Sequence, residues 1–339
     1  MEIKVAKTTC NYQLFRVNGL GNLASITQLL QESLFAAFTA WLNTTSTSST
    51  RNLIAANAAN YTEFVPQMIP VRRLSADSGV LYQSAIALRL ASPLQLNALD
   101  IAHDLVSALP ILSPDIANPI QLDFVVDVEF PGWINIRLNE QGLATWLQQL
   151  IQVSWLTPMQ KGEQENSSSN RQNEFSGKLY KSSKNSINLF SVQYAHARCC
   201  SLLRLGHQQG LIQLQDIDFT TVNRQLLEPN PIPWLQDVLE PHIGEMQLRL
   251  VHPAERELLT QLLDAQDALS TPEPLRLLKQ GNSLSQAFER FHQECRILGE
   301  VKRDNPKLAQ ARLGLVGVTQ VVLRSLLQDG LQVPTPLEL

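Results

Sequence analysis

Long apolar runs are missing from these 339 residues, and nothing approaches the roughly 20 consecutive apolar positions that a membrane-crossing helix needs. The opening stretch, MEIKVAKTTCNYQ, has no apolar h-region, so a secretory leader is not expected. Cysteine is scarce. Cys199 and Cys200 are adjacent, Cys10 and Cys295 stand alone, and no pair has the spacing of a zinc site. Neither a disulfide framework nor a metal site is expected, and a reduced cytoplasm is the simplest compartment. Basic charge is also short. The net charge is −4; residues 1–150 hold 8 Lys and Arg against 11 Asp and Glu, and residues 188–339 hold 14 against 17. Binding driven by phosphate charge alone should be weak, and no DNA partner is expected; any nucleic-acid site must be a local patch.

What is present suits two globular domains: 44% of residues are apolar and 17% charged. The break falls in a Ser-, Asn-, Gln- and Lys-rich stretch, TPMQKGEQENSSSNRQNEFSGKLYKSSKNS, which cannot bury enough apolar surface to offset its ordering entropy. The expected division is an α+β domain over 1–155, a disordered linker over 156–187, and an all-α helical bundle over 188–339. A second polar stretch runs from Thr44 to Asn52.

In the first domain, Ile26, Leu29, Leu30, Leu34, Phe35 and Phe38 recur at helical spacing, and helices are also predicted over 82–91 and 97–109. The period then becomes two. Phe124, Val126, Val128 and Phe130 alternate with Val125, Asp127 and Glu129, and after Pro131-Gly132 Ile134, Ile136 and Leu138 alternate with Trp133, Asn135 and Arg137, the pattern of a half-buried hairpin. Asn139 is placed to cap a helix carrying Leu143, Trp146, Leu147 and Leu150. Beyond the linker, helices are predicted over 189–207, 233–246, 253–268, 271–280 and 283–301, with a last one from Pro306 to just before Gly330.

Three of these stretches resemble arginyl-tRNA synthetases. VQYAHARCCSLLR, Val192 to Arg204, is similar to the start of that family's C-terminal anticodon-binding domain, the DALR domain. ARLGLVGVTQVVLRSLLQDGLQVPTPLEL, Ala311 to Leu339, is similar to its last helix and end, and the segment around Phe288, Phe291 and His292 lies between them. YQSAIALRLA, IAHDLVSAL and FPGWINIRLN look like the family's N-terminal domain, which touches the tRNA corner near the D-loop. The resemblance implies a small α+β domain, helices on a short antiparallel sheet, linked to an anticodon-binding-like helical bundle. The nucleotide-binding domain that the family carries between these ends has no counterpart here. No His-Ile-Gly-His-like sequence occurs, and Lys181-Ser182-Ser183-Lys184 mimics Lys-Met-Ser-Lys without its structural context. Arginine-tRNA ligase activity is therefore not expected of this chain, and neither are catalytic residues or a cofactor.

The remaining constellations are sparse. His196 and Cys200, four apart on one helix, are a conceivable nucleophile pair, with inert packing the blander reading. Glu255-Arg256-Glu257 reads best as a solvated helix N-terminus. On the 189–207 helix, Val192, Ala195, Cys199 and Leu202 should face the bundle, leaving Tyr194, Arg198 and Ser201 on the neighbouring stripe. The resemblance carries an RNA-contacting role to Tyr82 and Gln83, to Tyr194 and Arg198, to His292 where the family usually has tyrosine, and to Leu339 where it commonly ends in methionine. Trp133, Asn135 and Arg137 share one strand face and offer a ring, an amide and a cation. The expected function is tRNA binding without catalysis, with arginine tRNA the partner implied. The alternative is a repurposed protein-interaction scaffold, which the acidity favours.

Overall fold

The structure, a computed structural model, describes residues 8–13, 25–44, 65–74, 80–109, 121–153, 189–215, 226–237 and 246–338. The expected linker and Leu339 lie outside these. Among the described residues the chain forms two compact units, one of residues up to Trp146 with 246–247, the other of the rest from Leu147 on.

The first unit is α+β. Its sheet has five antiparallel strands: β1 (Thr8–Gln13), β2 (Val71–Leu74), β3 (Val80–Ser84), β4 (Gln121–Glu129) and β5 (Trp133–Leu138), in the order β1-β4-β5-β3-β2. Its helices are α1 (Ile26–Thr44), α2 (Ile86–Leu94) and α3 (Ala98–Ser107), which pack on the sheet. Helix α1 opens on a reciprocal cap: Gln28 N donates to Ser25 Oγ at 3.2 Å and Ser25 N to Gln28 Oε1 at 3.3 Å. Tyr82, Ser84, Phe124, Val126, Ile134, Ile136 and Leu138 alternate onto the buried side of the sheet. The β4–β5 hairpin turns at Pro131-Gly132 as the sequence implied. Gly132 sits at φ +148, and a Cβ there would lie 2.8 Å from the Ala98 carbonyl oxygen, so no other residue fits. Asn139 caps α4 (Glu140–Val153) by accepting from Gly142 N at 2.7 Å.

One predicted helix is overturned. Residues 80–84 form β3, and α2 begins only at Ile86, so Tyr82 and Gln83 lie on a strand. The helical spacing across 82–91 arose from running a strand and a helix together. Cross-strand pairing of β3 with both β2 and β5 outweighs local propensity there.

The second unit is a helical bundle with one small addition. Its helices are α5 (Leu189–Gln208), α6 (Pro253–Ser270), α7 (Pro274–Glu294), α8 (Glu300–Asp304) and α9 (Pro306–Ser325), the last running into a π-helical turn over Leu326–Gly330. The addition is a two-stranded ribbon, β6 (Gln213–Leu214) with β7 (Leu226–Glu228), absent from the all-α expectation. The helix predicted over 233–246 is not formed in its described part. Leu235 bridges Leu248 in extended conformation, and Arg249 N donates to the Trp234 carbonyl at 2.7 Å, so this backbone is paired as a strand and not coiled as a helix. The predicted helices 271–280 and 283–301 are instead one helix to Glu294 followed by short α8. Gly281, the apparent break, stays helical because α5 packs against it; a Cβ there would stand 3.2 Å from the Val192 methyls.

Helix α9 is the bundle's axis: every residue from Ala311 to Leu323 is buried. A charge on such a helix must be paired within the protein. Arg312 Nε donates to Glu255 Oε1 at 2.6 Å, and its Nη1 donates to the Arg296 carbonyl. The other oxygen of Glu255 accepts from His252 N at 2.8 Å, closing the capping box of α6. Glu255 was expected in solvent; it is fully buried, the acid that neutralises the core arginine. Replacing Glu255 with alanine strands that guanidinium and should cost about 3–5 kcal/mol, read from urea unfolding of the full chain. Glu257, half-exposed and paired with Arg290, should cost under about 1 kcal/mol on the same substitution.

Candidate nucleic-acid interface

Helix α5 presents two polar stripes with different fates. Gln193, His196 and Arg204 face the chain's last described segment. Gln193 Nε2 donates to the Pro334 carbonyl at 3.0 Å, His196 Nδ1 to the Pro336 carbonyl at 3.0 Å, and Arg204 Nη2 to the Leu337 carbonyl at 3.3 Å. Arg204 also pairs with Glu338. A carbonyl only accepts, so Nδ1 carries the proton, and His196 Nε2 accepts from Gln320 of α9 at 2.9 Å. This imidazole therefore joins α5, α9 and the tail, and neither ring nitrogen is left for chemistry. Burial holds its pKa down to about 4. Cys200 lies 4.0 Å from the protonated nitrogen, and burial pushes its thiol up to about 11. A thiol in that state is no nucleophile, so the conceived Cys-His pair is structural.

The second stripe faces out. Tyr194 is 43% exposed and Arg198 is exposed one turn further along, while Val192, Ala195 and Cys199 are buried as expected and Leu202 is half-buried. Arg198 Nη2 lies 3.4 Å from Nε2 of His292 on α7, which itself packs against Phe288 at 6.3 Å between ring centroids. Half-burial first, and then the Arg198 charge, lower the His292 pKa, so the imidazole stands neutral beside the guanidinium. The structure thus brings together three residues chosen from two distant parts of the sequence: a phenol, a guanidinium and an imidazole on the surface where α5 meets α7. Phe190, which sequence reading passed over, adjoins them; it is 57% exposed and its ring lies 6.3 Å from that of Tyr194 at an interplanar angle of 25°. Its signal was available, since Phe190, Tyr194 and Arg198 recur every four residues, but a phenylalanine opening an amphipathic helix reads as core.

The sheet-side residues fare differently. Tyr82 is fully buried, which corrects its expected role: no ligand reaches that ring in this fold. Gln83 and Asn135 are nearly buried and spent on each other. Arg72 Nη2 donates to Gln83 Oε1 at 2.7 Å, Gln83 Nε2 to Asn135 Oδ1 at 3.1 Å, and Asn135 Nδ2 to Asp127 and Glu129 at 3.1 and 3.0 Å. These residues sit in register on neighbouring strands, so the ladder crosses four strands. Trp133 is half-buried with the Arg72 guanidinium 5.2 Å from its ring centroid, and Arg137 is exposed. Two carboxylates against one arginine leave the ladder unattractive to phosphate. Among the described residues no carboxylate pairs with Arg198 or His292, so the helical patch leaves its guanidinium uncompensated by acid.

A surface of exposed rings and one arginine on a helical bundle is suited to unpaired bases. The comparisons with known proteins point the same way. Residues 192–337 match the model of the DALR anticodon binding domain, so the helical unit is of that class. Among curated proteins the chain is similar to the arginine–tRNA ligase of Pelodictyon phaeoclathratiforme, 36% identical over 141 residues, 40% of this chain and 20% of that protein. It is likewise similar to those of Moorella thermoacetica, 33% over 144 residues, and Synechococcus, 32% over 149, covering 41% and 43% of this chain and 20% and 21% of theirs. The chain spans about a fifth of the length of these relatives. No solved structure matches it. Among the described residues there is no helix long and apolar enough to cross a membrane and no group of residues set to hold a metal.

The buried imidazole sets a pH dependence. The unfolded chain takes up a proton near pH 6.5, the folded one only near 4, so acidification favours the unfolded state throughout that window. Stability from this group is complete above pH 6.5 and falls by on the order of 3 kcal/mol by pH 4. Urea unfolding at pH 7 and pH 5 should show a loss of about 2 kcal/mol that is absent from His196→Gln. An equal loss in both proteins would remove His196 as the cause.

Proposed function

We propose that this protein binds tRNA without aminoacylating it, gripping the anticodon arm with the α5–α7 patch of Tyr194, Arg198 and His292. The observation that carries the proposal is this patch of ring, guanidinium and neutral imidazole, inside the segment matching an anticodon binding domain. Stacking on Tyr194 and His292 supplies affinity that does not require a basic surface, and Arg198 supplies one phosphate or base-edge contact. This answers the difficulty raised by net acidity, because bases stack on rings whatever the distant charge.

The N-terminal unit takes a smaller share, at the D-loop corner, through Trp133 and Arg137; Gln83 and Asn135 hold the ladder in place. Leu339 is proposed as an apolar contact at the end of the tail. The proposed setting is the cytoplasm, and arginine tRNA is the species favoured by similarity to the ligases. The absence of aminoacylation rests on the missing class I signatures, since forming an aminoacyl adenylate needs a phosphate cradle with positive charge.

Gel-shift titration with total tRNA at two salt concentrations tests this. Binding should weaken as salt rises with a shallow slope; Arg198→Ala should lower the slope by about one and Tyr194→Ala should lose ~1–3 kcal/mol. No complex at micromolar protein in low salt would end the proposal. A stoichiometric protein captured instead, indifferent to Tyr194 and Arg198, would favour a scaffold.

A further inference from the structure

The segment after the π-helical turn is held to the bundle unevenly. Its root is fixed: Leu331 is buried, Leu331 N donates to the Leu326 carbonyl at 2.9 Å, and Val333 N donates to the Leu327 carbonyl at 2.8 Å. Between them Gln332 takes the left-handed region at φ 54, at some steric cost for a residue with a β-carbon. Beyond the root, Pro334 and Pro336 have no amide to donate, so the backbone there can be gripped only by its carbonyls. Side chains of α5 grip them: Gln193 holds Pro334, His196 holds Pro336 and Arg204 holds Leu337, with Arg204 also paired to Glu338. Thr335 is the one buried residue from Val333 to Glu338, and its hydroxyl accepts from Gln328 Nε2 at 2.7 Å. A segment with so little buried surface, held by single side-chain bonds, belongs to the low-stability end of a fold.

We infer that residues 334–338 are a strap that leaves α5 while the bundle stays folded, with His196 as its catch and protonation of that imidazole as its release. The catch works in one state only. Closed, His196 keeps a proton on Nδ1 for the Pro336 carbonyl and a lone pair on Nε2 for the Gln320 amide, so the ring is neutral. A second proton sets N–H against N–H at Gln320 and places a charge in a fully buried position. The titratable groups around the ring do not offset that charge. On α5, the Cys200 thiol is neutral, and Arg204 is itself a cation spent on Glu338 of the strap. On α9, Arg324 repels it, and Asp329 of the π-helical turn answers Arg324. Release puts the imidazole in water and relieves the conflict. It also parts Arg204 from Glu338, so α5 then presents a guanidinium and an imidazolium where the closed strap presents a neutralised pair. The strap is independent of the tRNA reading.

The closed strap holds the ring down to about 4, and the released ring returns to its ordinary 6.5. The closed form therefore binds the proton less tightly, and acid favours release. The ratio of released to closed strap should rise about twentyfold from pH 7 to pH 5 and stay flat at higher pH. Methyl NMR of the full-length chain tests this, with Thr335 and Leu337 reporting on the strap and Leu315 and Thr319 on α9. Relaxation dispersion should show a minor released state at the strap methyls that grows by about that factor, while the α9 methyls stay unchanged. The carbon-13 shift of His196 Cε1 should follow pH together with the strap. Arg204→Ala should raise the released fraction at both pH values and preserve their ratio. His196→Gln should abolish the pH dependence; should that variant not fold, the wild-type His196 titration decides. Exchange that appears at strap and α9 methyls together would overturn the strap, as opening of the whole bundle. A strap without measurable exchange at pH 5, or one whose release ignores the ionisation of His196, would overturn it as well.

Discussion

The helical unit depends on burying one helix on every side from Ala311 to Leu323. An amphipathic helix can leave its polar residues in water, but α9 has no side free, so Arg312, Thr319 and Gln320 must each find a partner inside. Thr319 returns its hydroxyl to the Leu315 carbonyl at 2.8 Å. Arg312 draws in Glu255 and with it the first turn of α6. Gln320 draws in His196, and His196 draws in the tail at Pro336. Polar satisfaction on one buried helix thus fixes the rotation of α5 about its own axis. With His196 facing inward, Tyr194 and Arg198 can only lie on the outward side.

Local chemistry decides between the two candidate surfaces. The sheet face carries a ring, amides and arginines, which as a residue list looks better suited to RNA than the helical patch. Its amides are already bonded, and its carboxylates accept the bonds that a ligand would have to displace; breaking them leaves nearly buried groups unpaired at about 1–3 kcal/mol each. At the helical patch, the Arg198–His292 contact is long and partly exposed, and little is lost when a ligand replaces it. Availability therefore outranks residue type.

The same distinction separates what the sequence revealed from what it hid. Periodicity located α1, the β4–β5 hairpin, α5 and α9 because each is long or has alternating burial. It merged β3 with α2, because five residues of strand followed at once by a helix present no clean period. It split α7 at Gly281, since a glycine at a helix–helix contact looks like a terminator until the neighbouring helix is known. It put Glu255 in solvent, because the arginine that demands it lies 57 positions further on. For the site, helical spacing was enough to group Tyr194 with Arg198, whereas the proximity of His292 is purely tertiary. The burial of Tyr82 followed from a strand assignment that local pattern did not supply.

The magnitude of the helical patch also says what kind of binder it makes. One or two stacked bases at ~1–3 kcal/mol each, with one phosphate contact of about 1 kcal/mol, would give on the order of 2–7 kcal/mol before the cost of ordering an RNA loop. Such a sum corresponds to dissociation constants of about 10 μM or weaker. On the proposed tRNA-binding reading, a single patch of this size would hold RNA briefly and exchange it. A firmer grip requires a second contact on the same molecule, whose contribution scales with the effective concentration set by the connecting chain. If the N-terminal unit contributes through Trp133 and Arg137 as proposed, it would need only weak intrinsic affinity to serve in that way. An acidic protein with two weak, shape-dependent contacts discriminates folded RNA from bulk polyanion better than a basic one, because it gains little from phosphate alone.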